Sequence, residues 1–583
     1  MGSFNDMLSL LLAASVSLPP TLPVADIKAG DKGQCLTVFQ GDTIEPFPFV
    51  VRGVMRNFLG PGKDVVLIRL EGDKAEFTGV VAGMSGSPCS IGGKLVGALA
   101  YSFAAFAKEP IAGIQPIASM LDVMQLPEES RPWRLGREDK EAEWTAMRAG
   151  TAPVVAAVSQ LSGLKTIDTP LALGGFDPRV AAHFAPWLEA RGFTPMAAGT
   201  AGSGAKPRPL LPGSAVAAVL VRGDVDIAAT GTVTAVDGDQ VLAFGHPFFG
   251  AGAISIPMAN AEIINTMAST QRSFKMAIAG AVVGEVTQDR LTAIGGYLGR
   301  EAAMLKVAGE VKTPHGTAPF KFEVARDQAL SPRFLAMGLA NSLSGRSDVG
   351  ERGTVRLKAT ITAAGQKPVT IKNVYAADRD AGLMANPAVD VGQAFAALWD
   401  TPFGPPPNMK VTINAEVSPD PIEEWVESVH LDRAQAKPGE NIEVAVRLRK
   451  KGGASSLERF VVSVPHGWAE SDVDIVAAGA ADAEKVAARI DGDLIPENLG
   501  DVVKWLSERR ADGQLYLMAM RHGTGMRARV EVLPFLPPSV VATMSGVPQV
   551  DKRGRGLAWE ERRDRPGTVS GMAPVSIRIL SSN

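Results

Sequence analysis

The chain has 583 residues, which at about 100–200 residues per domain predicts about three to five domains. Hydrophobic residues make up 46% and charged residues 21% of the sequence, as is usual for a globular protein. The net charge is −3 and no domain-sized surplus of Lys and Arg stands out, which argues against nucleic acid as a partner.

The chain begins with an apolar stretch of the length found in signal peptides. Residues 7–18 (MLSLLLAASVSL) precede two prolines and a plausible cleavage site near Asp26. The charge does not fit a signal peptide, because Asp6 is the only charged residue ahead of the apolar stretch and Lys28 is the first basic residue. The alternative is a buried N-terminal helix, or a start codon assigned too late, which would have removed a basic n-region. We predict a signal peptide over 1–25, hence a periplasmic or secreted protein. No apolar run in the sequence is long enough to predict a membrane-spanning helix.

Short β-runs fill the next segment, up to about residue 125. The runs LTVF, FPFVVRGV, DVVLIRLEG and KLVGALAYSF are bounded by Gly, Asp or Pro, which is typical of strands. Both cysteines of the chain lie here. They are too few for a disulfide-rich scaffold or a Cys-rich zinc site, and the pattern leaves open whether Cys35 and Cys89 are bridged.

Residues 126–212 differ in character and predict a linker with helices. Residues 128–148 carry many charges, as an exposed helix does, and 180–191 has helical spacing. Residues 199–212 (GTAGSGAKPRPLLP) are loop-like.

Strands resume at Ser214, with the runs SAVAAVLV, DIAATGTVTAV and QVLAF. A helix is expected over 259–269, followed by the strands AIAGAVVGEV, LTAIGGYLG and KFEVARD. Helices over 332–343 and 386–399 flank two further strands, so 311–407 is expected to be a mixed α/β extension. It ends in the stiff linker PFGPPP.

The C-terminal part is predicted to be β-rich. Residues 409–417, 424–431 and 442–448 alternate with period two and are separated by turns, which predicts an immunoglobulin-like β-sandwich over 408–540. Residues 541–583, rich in Arg, Gly and Pro, are expected to form an irregular tail.

A glycine-framed serine lies between two predicted strands, in the sequence GMSGSP at 83–88. The glycines allow a tight turn that presents a hydroxyl and leaves backbone N–H groups unobstructed. The N–H groups of Gly83 and Ser85 would then point at one spot, as in an oxyanion hole. An ordinary inter-strand turn fits the motif equally well.

A serine nucleophile needs a base, and the chain offers six histidines. His246 ends the strand QVLAF, where Gly245 and Pro247 would hold its ring, although a purely structural histidine also fits such a position. The other five lie on a predicted helix, in a turn or in the C-terminal β region: His183, His315, His430, His466 and His522.

Together the two motifs resemble the chymotrypsin-like serine peptidases of the stage IV sporulation protein B (SpoIVB) family. GMSGSP followed by KLVGALAYSF, and LAFGHPF preceded by ATGTVTAVDGDQ, are similar to that family's serine and histidine segments. The resemblance covers about residues 30–120 and 214–305. In the sporulation protein the histidine half comes first, whereas Ser85 here precedes His246, and no PDZ module is evident.

The resemblance implies a mainly β fold, a trypsin-like double β-barrel whose halves are circularly permuted, with helical insertions. The serine-bearing half-barrel would span 26–125 and the histidine-bearing half 213–310. Chain order does not matter to a catalytic triad, because the same constellation recurs in different orders. Permutation is tolerated where chain termini lie close together.

The resemblance also assigns the site residues. Ser85 matches the nucleophile and His246 the general base, with the amides of Gly83 and Ser85 as the oxyanion hole. Ser87 is the lesser candidate for the nucleophile, because related peptidases usually have Gly at that position.

The third catalytic residue stays open at this point. Asp289, in TQDRLTAI, precedes a strand and is the leading candidate for the acid that orients His246. The sporulation protein has Asn at the comparable position, so a Ser–His dyad is the alternative, and Asp289 could equally pair with Arg290 or solvent. Three weaker candidates are Glu285, Asp224 and Asp226.

The leading hypothesis is therefore a serine endopeptidase that cuts a protein or peptide partner, or itself, in a limited way through an acyl-enzyme. The alternative is a catalytically silent or self-cleaving envelope scaffold, with the C-terminal sandwich binding an envelope protein. No cofactor or metal is expected, since no histidines or cysteines have ligand spacing and GSGAKP lacks the spacing of a phosphate loop.

Overall fold

The computed structural model describes most of the chain as two compact units, Met1–Val307 with Lys321–Asn341, and Ala308–Phe320 with Ser342–Asn583. The segments outside the described residues are 1–17, 104–107, 129–136, 154–163, 201–205, 347–350, 379, 381, 469, 492–495, 529–530, 534, 546–549 and 582–583. The apolar core of the predicted signal peptide lies almost wholly among them. The described residues are mainly β, as predicted.

The elements up to residue 298 are β1 (Lys32–Val38), β2 (Ile44–Met55), β3 (Val65–Leu70), α1 (Asp73–Thr78), β4 (Val81–Ala82), β5 (Pro88–Ile91), β6 (Lys94–Phe103), β7 (Ile111–Pro116), α2 (Ile117–Leu121), α3 (Arg137–Ala149), β8 (Leu164–Thr166), β9 (Thr169–Gly174), α4 (Pro178–Glu189), β10 (Phe193–Ala198), β11 (Ala215–Gly223), β12 (Asp226–Asp237), β13 (Gln240–Ala243), β14 (Gly252–Met267), β15 (Ser273–Arg290) and β16 (Ala293–Leu298).

Those that follow are β17 (Met304–Thr313), β18 (Gly316–Ala325), α5 (Ser331–Ser344), β19 (Gly353–Thr362), β20 (Val369–Ala377), α6 (Ala385–Trp399), β21 (Lys410–Ser418), β22 (Glu423–Leu431), β23 (Gln435–Ala436), β24 (Asn441–Lys450), β25 (Ser455–Ser463), β26 (Ser471–Ala478), α7 (Ala480–Asp491), α8 (Leu499–Glu508), β27 (Gln514–Ala528), β28 (Glu531–Leu533), α9 (Pro538–Met544), β29 (Val550–Asp564), β30 (Thr568–Ser570) and β31 (Met572–Ile579).

Six strands of the serine-bearing segment close a barrel. The antiparallel pairing runs β5–β1–β2–β3–β7–β6 and returns to β5, so no edge is left open in the ring. Apolar side chains that alternate along these strands fill the interior, among them Phe49, Ile68 and Leu99. Cys35 and Cys89 lie directly opposite each other on β1 and β5 and form a disulfide, which answers the question left open by the sequence.

The strands of the histidine-bearing segment also pair in a cycle, β12–β13–β16–β15–β14–β11 and back to β12, so this sheet is strongly curled. The helix predicted over 259–269 is wrong, because this stretch is the end of strand β14. Burial alternates there, with Ala261 and Ile263 in the core and Glu262 and Ile264 exposed. That period of two matches a strand paired between β11 and β15.

The segment predicted to be a linker, 126–212, also contains strands. β8 pairs with β6 of the barrel, β9 pairs with β12 of the curled sheet, and β10 pairs in parallel with β9. Helix α4 confirms the helix expected over 180–191, and α3 covers the described end of the one expected over 128–148.

In the second unit, β19 pairs with β20 and with β21. Two further sheets enclose one apolar core: β25–β24–β22–β30, and β23–β31–β26–β27–β28 with β29 alongside β27. The predicted helix over 386–399 is confirmed by α6, and the one over 332–343 by α5.

Two predictions for this part need correction. The predicted strand 409–417 was placed in the sandwich, but the corresponding strand β21 pairs with β19 instead. The tail over 541–583 is not irregular, since it contains α9 and three strands that complete the two sheets. The immunoglobulin-like connectivity over 408–540 is not confirmed, because strands from beyond that range take part and α7 and α8 are inserted.

Candidate active site

The predicted serine motif forms the turn between β4 and β5. Gly83 and Gly86 both have a φ of 95°, a conformation that side chains with a Cβ rarely adopt. A Cβ on Gly86 would lie 1.9 Å from the carbonyl oxygen of Thr232, so any larger residue would displace strand β12. The glycines are therefore required both for the turn and for the close approach of the neighbouring strand.

Hydrogen bonds distinguish the two serines of the turn. The amide of Gly86 donates to the carbonyl of Leu99 at 2.8 Å, and the amide of Ser87 donates to Met84 at 3.0 Å. The Ser87 hydroxyl also donates to the Met84 carbonyl, at 2.6 Å. The Ser85 hydroxyl is fully buried and has no hydrogen-bond partner among the described residues. Ser85 thus carries the uncommitted hydroxyl, as a nucleophile should.

Strand β12 of the histidine-bearing segment holds the turn from one side. The hydroxyl of Thr232 donates to the carbonyl of Gly83 at 3.0 Å, and the hydroxyl of Thr234 donates to that of Gly86 at 2.7 Å. The amide of Thr232 donates to the Ser85 carbonyl at 2.9 Å. The serine turn is therefore built jointly by two segments far apart in the chain.

His246 lies two residues after the residue that touches the serine turn. A Cβ on Gly86 would lie 2.5 Å from the amide nitrogen of Phe244, so the two motifs are in direct contact. Phe244 itself has a φ of 65°, which is unusual for an aromatic residue and occurs mainly where surrounding structure imposes it. The structure brings the two predicted motifs together, but no hydrogen bond joins Ser85 Oγ to His246 Nε2.

The His246 ring is held by its own neighbour. Its Nδ1 lies 2.8 Å from the carbonyl oxygen of Pro247, which can only accept, so Nδ1 carries the proton and Nε2 has the free lone pair. Nε2 is buried and has no hydrogen-bond partner among the residues that the structure describes. Burial lowers the pKa of His246 to about 4, and the Pro247 carbonyl and the charge of Asp168 oppose that shift. The ring is therefore neutral at pH 7 and able to accept a proton.

Asp289 makes no hydrogen bond to the His246 imidazole, whose Nδ1 is bonded to Pro247 and whose Nε2 is unbonded among the described residues. Its buried carboxylate accepts three backbone hydrogen bonds, from Phe248 at 2.8 Å, Phe249 at 2.9 Å and Ala251 at 3.1 Å. Burial raises the pKa of Asp289, and these three donors counteract it. Asp289 thus fixes the loop that follows His246, while the Pro247 carbonyl occupies the place at Nδ1 where an orienting acid would lie.

The three weaker candidates for the acid are engaged elsewhere. Glu285 accepts a hydrogen bond from the Ser255 hydroxyl at 2.5 Å. Asp226 accepts from the Gly223 amide, and Asp224 accepts from the Lys321 amide. None of these contacts involves His246.

Two charged residues near the site were missed. Asp168, in the segment taken for a linker, binds Arg272 at 2.9 Å and Lys165 at 3.3 Å, and its charge acts on His246. No spacing pattern in the sequence indicates a role for Asp168. Lys275 is fully buried, and a period-two reading of SFKMA, with Ser273 and Ala277 inward, could have placed it on the inner face of its strand.

The candidate pair is enclosed. Ser85 is 0% and His246 2% exposed, so a substrate cannot reach either group unless the covering structure moves. In the described part of the chain, no cluster of His, Cys, Asp and Glu could hold a metal ion. Nor does any described helix have the length and apolar character needed to cross a bilayer.

Comparisons with models of known families, with characterised proteins and with solved structures find nothing that matches this chain.

Proposed function

We propose that the chain is a serine endopeptidase in which Ser85 is the nucleophile and His246 the general base. The observation that carries this proposal is the contact between the two motifs. It brings into adjacent turns a buried hydroxyl and a buried imidazole nitrogen that have no hydrogen-bond partner in the described part of the chain. Unsatisfied buried polar groups are rare in folded proteins, and functional sites are one place where they persist. The motif resemblance to the SpoIVB family supports the same assignment.

In the proposed reaction, the Ser85 oxygen forms a bond to the scissile carbonyl carbon while His246 Nε2 takes the hydroxyl proton. The amides of Gly83 and Ser85 stabilise the oxyanion. The histidine then gives its proton to the leaving amine, and water, activated by the same ring, releases the acyl group. The Pro247 carbonyl keeps Nδ1 protonated and stabilises the imidazolium, so that a Ser–His dyad suffices.

The two cyclic sheets are, in this proposal, the halves of a permuted chymotrypsin-like fold. The enclosed pair favours limited over general proteolysis, because the site must open before each cut. The Cys35–Cys89 disulfide supports a periplasmic or secreted location, since disulfides persist in oxidising compartments.

Labelling with a fluorophosphonate probe tests the proposal directly. We expect Ser85 to be labelled in the intact chain, S85A to abolish labelling, and H246Q to reduce it by about 10²-fold or more. S87A is the matched control and should label normally, because its hydroxyl is committed to Met84. Labelling that survives in S85A, or maps to Ser87, would contradict the proposal.

A catalytically silent scaffold built on the same sheets is the second candidate. The missing hydrogen bond between Ser85 and His246, together with their burial, favours it. An intact, folded chain that is not labelled after prolonged exposure to the probe, at any pH at which it stays folded, would support this scaffold.

A further inference from the structure

Lys275 lies on β15 with its whole side chain buried, at 0% exposure. Its Nζ donates a hydrogen bond to the Thr37 hydroxyl of β1 at 2.7 Å. Because an ammonium has three donors and is costly to bury with one neutral partner, lysines in such places are usually neutral or functional. Lys275 has no part in the reaction described above.

The aliphatic part of the Lys275 side chain packs against the serine turn. β4 and β15 pair in parallel, with Ser273 opposite Val81 and Phe274 opposite Ala82, and the next residues in this register are Lys275 and Gly83. A Cβ on Gly83 would lie 3.2 Å from Lys275 Cδ and 3.4 Å from Lys275 Cβ. The side chain therefore packs against the residue whose amide is the proposed oxyanion donor.

Among the described residues, no charged group compensates an ammonium at this position. The contacts that the structure gives for Lys275 are with Thr37 on β1, with Gly83 in the turn and with Thr266, opposite Lys275 in the β14–β15 register, and none of these three residues is charged or titratable. Burial is the sole cause that lowers the pKa of Lys275 to about 7. Near neutral pH the amine thus changes between a form that fits the site and one that does not.

We propose that Lys275 is a positioning residue for the serine turn, and that the turn is competent only while this amine is neutral. The neutral amine stays bonded to Thr37 and keeps its stem against Gly83. Protonation favours a position with access to water, which withdraws the stem and lets the oxyanion amides shift. This inference rests on the proposed function, since its consequence is a change in the reactivity of Ser85.

The test is the pH dependence of fluorophosphonate labelling in the full chain. In the wild type, the labelling rate should fall about tenfold for each pH unit below about 7, hence about 100-fold by pH 5. K275M fills the same space without a titrating group and should keep its rate down to about pH 5, because His246 titrates only near pH 4. K94M, at an exposed lysine that begins β6, is the control and should follow the wild type.

The outcomes separate this inference from the proposed function. The inference is overturned if the labelling rate of K275M falls at acid pH as it does in the wild type, or if K275M folds but is unreactive at every pH. In either case, labelling that is lost in S85A still supports the peptidase. A wild type without labelling at every pH overturns both. If K275M does not fold, T37V replaces it. Loss of the accepting hydroxyl should lower the pH at which the labelling rate begins to fall. A fall that begins at the same pH as in the wild type overturns the inference.

Discussion

The hydroxyl of Thr232 donates to the carbonyl of Gly83, 149 residues earlier in the chain, at 3.0 Å. This bond fixes the first glycine of the serine turn, against which the Lys275 side chain also packs. Gly83 is thus contacted both by a neutral hydroxyl donor on β12 and by a buried lysine side chain on β15. Its geometry depends on two strands of the histidine-bearing sheet, and changes in either should alter the reactivity of Ser85.

Removing the hydroxyls of β12 should weaken the serine turn. T232V and T234V each leave a buried carbonyl of the turn without its side-chain donor, at an expected cost of about 1–3 kcal/mol in the free energy of unfolding. Labelling of Ser85 should slow in both. T230V is the matched control, because the Thr230 hydroxyl is buried on the same strand and has no hydrogen-bond partner among the described residues. Its loss should leave stability and labelling unchanged. Equal effects in all three variants would contradict this account.

Asp289 should behave as an anchor of the loop and not as the orienting acid. The two carboxylate oxygens of Asp289 accept three backbone N–H groups, whereas the side chain in D289N has only one acceptor oxygen. We therefore expect the free energy of unfolding to fall by about 2–3 kcal/mol. Labelling should fall by about tenfold, and the pKa of His246, followed by NMR, should change little. Removal of a true orienting acid would cost about 10⁴-fold.

E285Q, on the same strand, is the control for D289N, since Glu285 bonds only Ser255 among the contacts described above. It should leave the loop after His246 intact. A drop near 10⁴-fold in D289N with stability retained would return Asp289 to the catalytic machinery.

Local patterns were sufficient to predict much of the fold. The run KLVGALAYSF is β6, and the helix expected over 386–399 is α6, because in both cases residue type, period and turn signals agree. The stretch 259–269 was misread since Ala, Glu and Ile suit a helix as well as a strand, and only its pairing with β11 and β15 decides between them.

The C-terminal strands were missed because they are rich in charged residues, and that composition on its own predicts an irregular tail. Arg563 near the end of β29 and Arg565 directly after it form ion pairs with Glu458, and Arg565 also pairs with the buried Glu424. The charges are thus partnered across strands, a relationship that requires the fold to be known. Asp289 and Lys275 show the same limit at the site, since their partners are backbone amides and a hydroxyl far away in sequence.

The disulfide should contribute substantially to the stability of the barrel. Cys35 and Cys89 are separated by 54 residues, and closing a loop of that length in the unfolded chain is worth about 4 kcal/mol in the chain-entropy model. Reductant should therefore lower the urea midpoint of the wild type, while a C35A/C89A variant should start lower and show no response. Free thiols found by alkylation of the non-reduced protein would contradict this prediction.

Lys275 should make stability depend on pH in a way that K275M removes. The pKa of the lysine falls from 10.5 in the unfolded chain to about 7 in the fold, so between these values the unfolded state binds more protons and wild-type stability rises with pH. Below about pH 7 both states are protonated and the full penalty of the buried ammonium is present. K275M should therefore be the more stable chain at pH 6, and its advantage should shrink by about 4 kcal/mol between pH 6 and pH 10. Urea unfolding of both chains across this range checks the prediction, since every other titrating group is shared. If the free energies of unfolding of the wild type and K275M changed in parallel with pH, Lys275 would keep its ordinary protonation inside the fold.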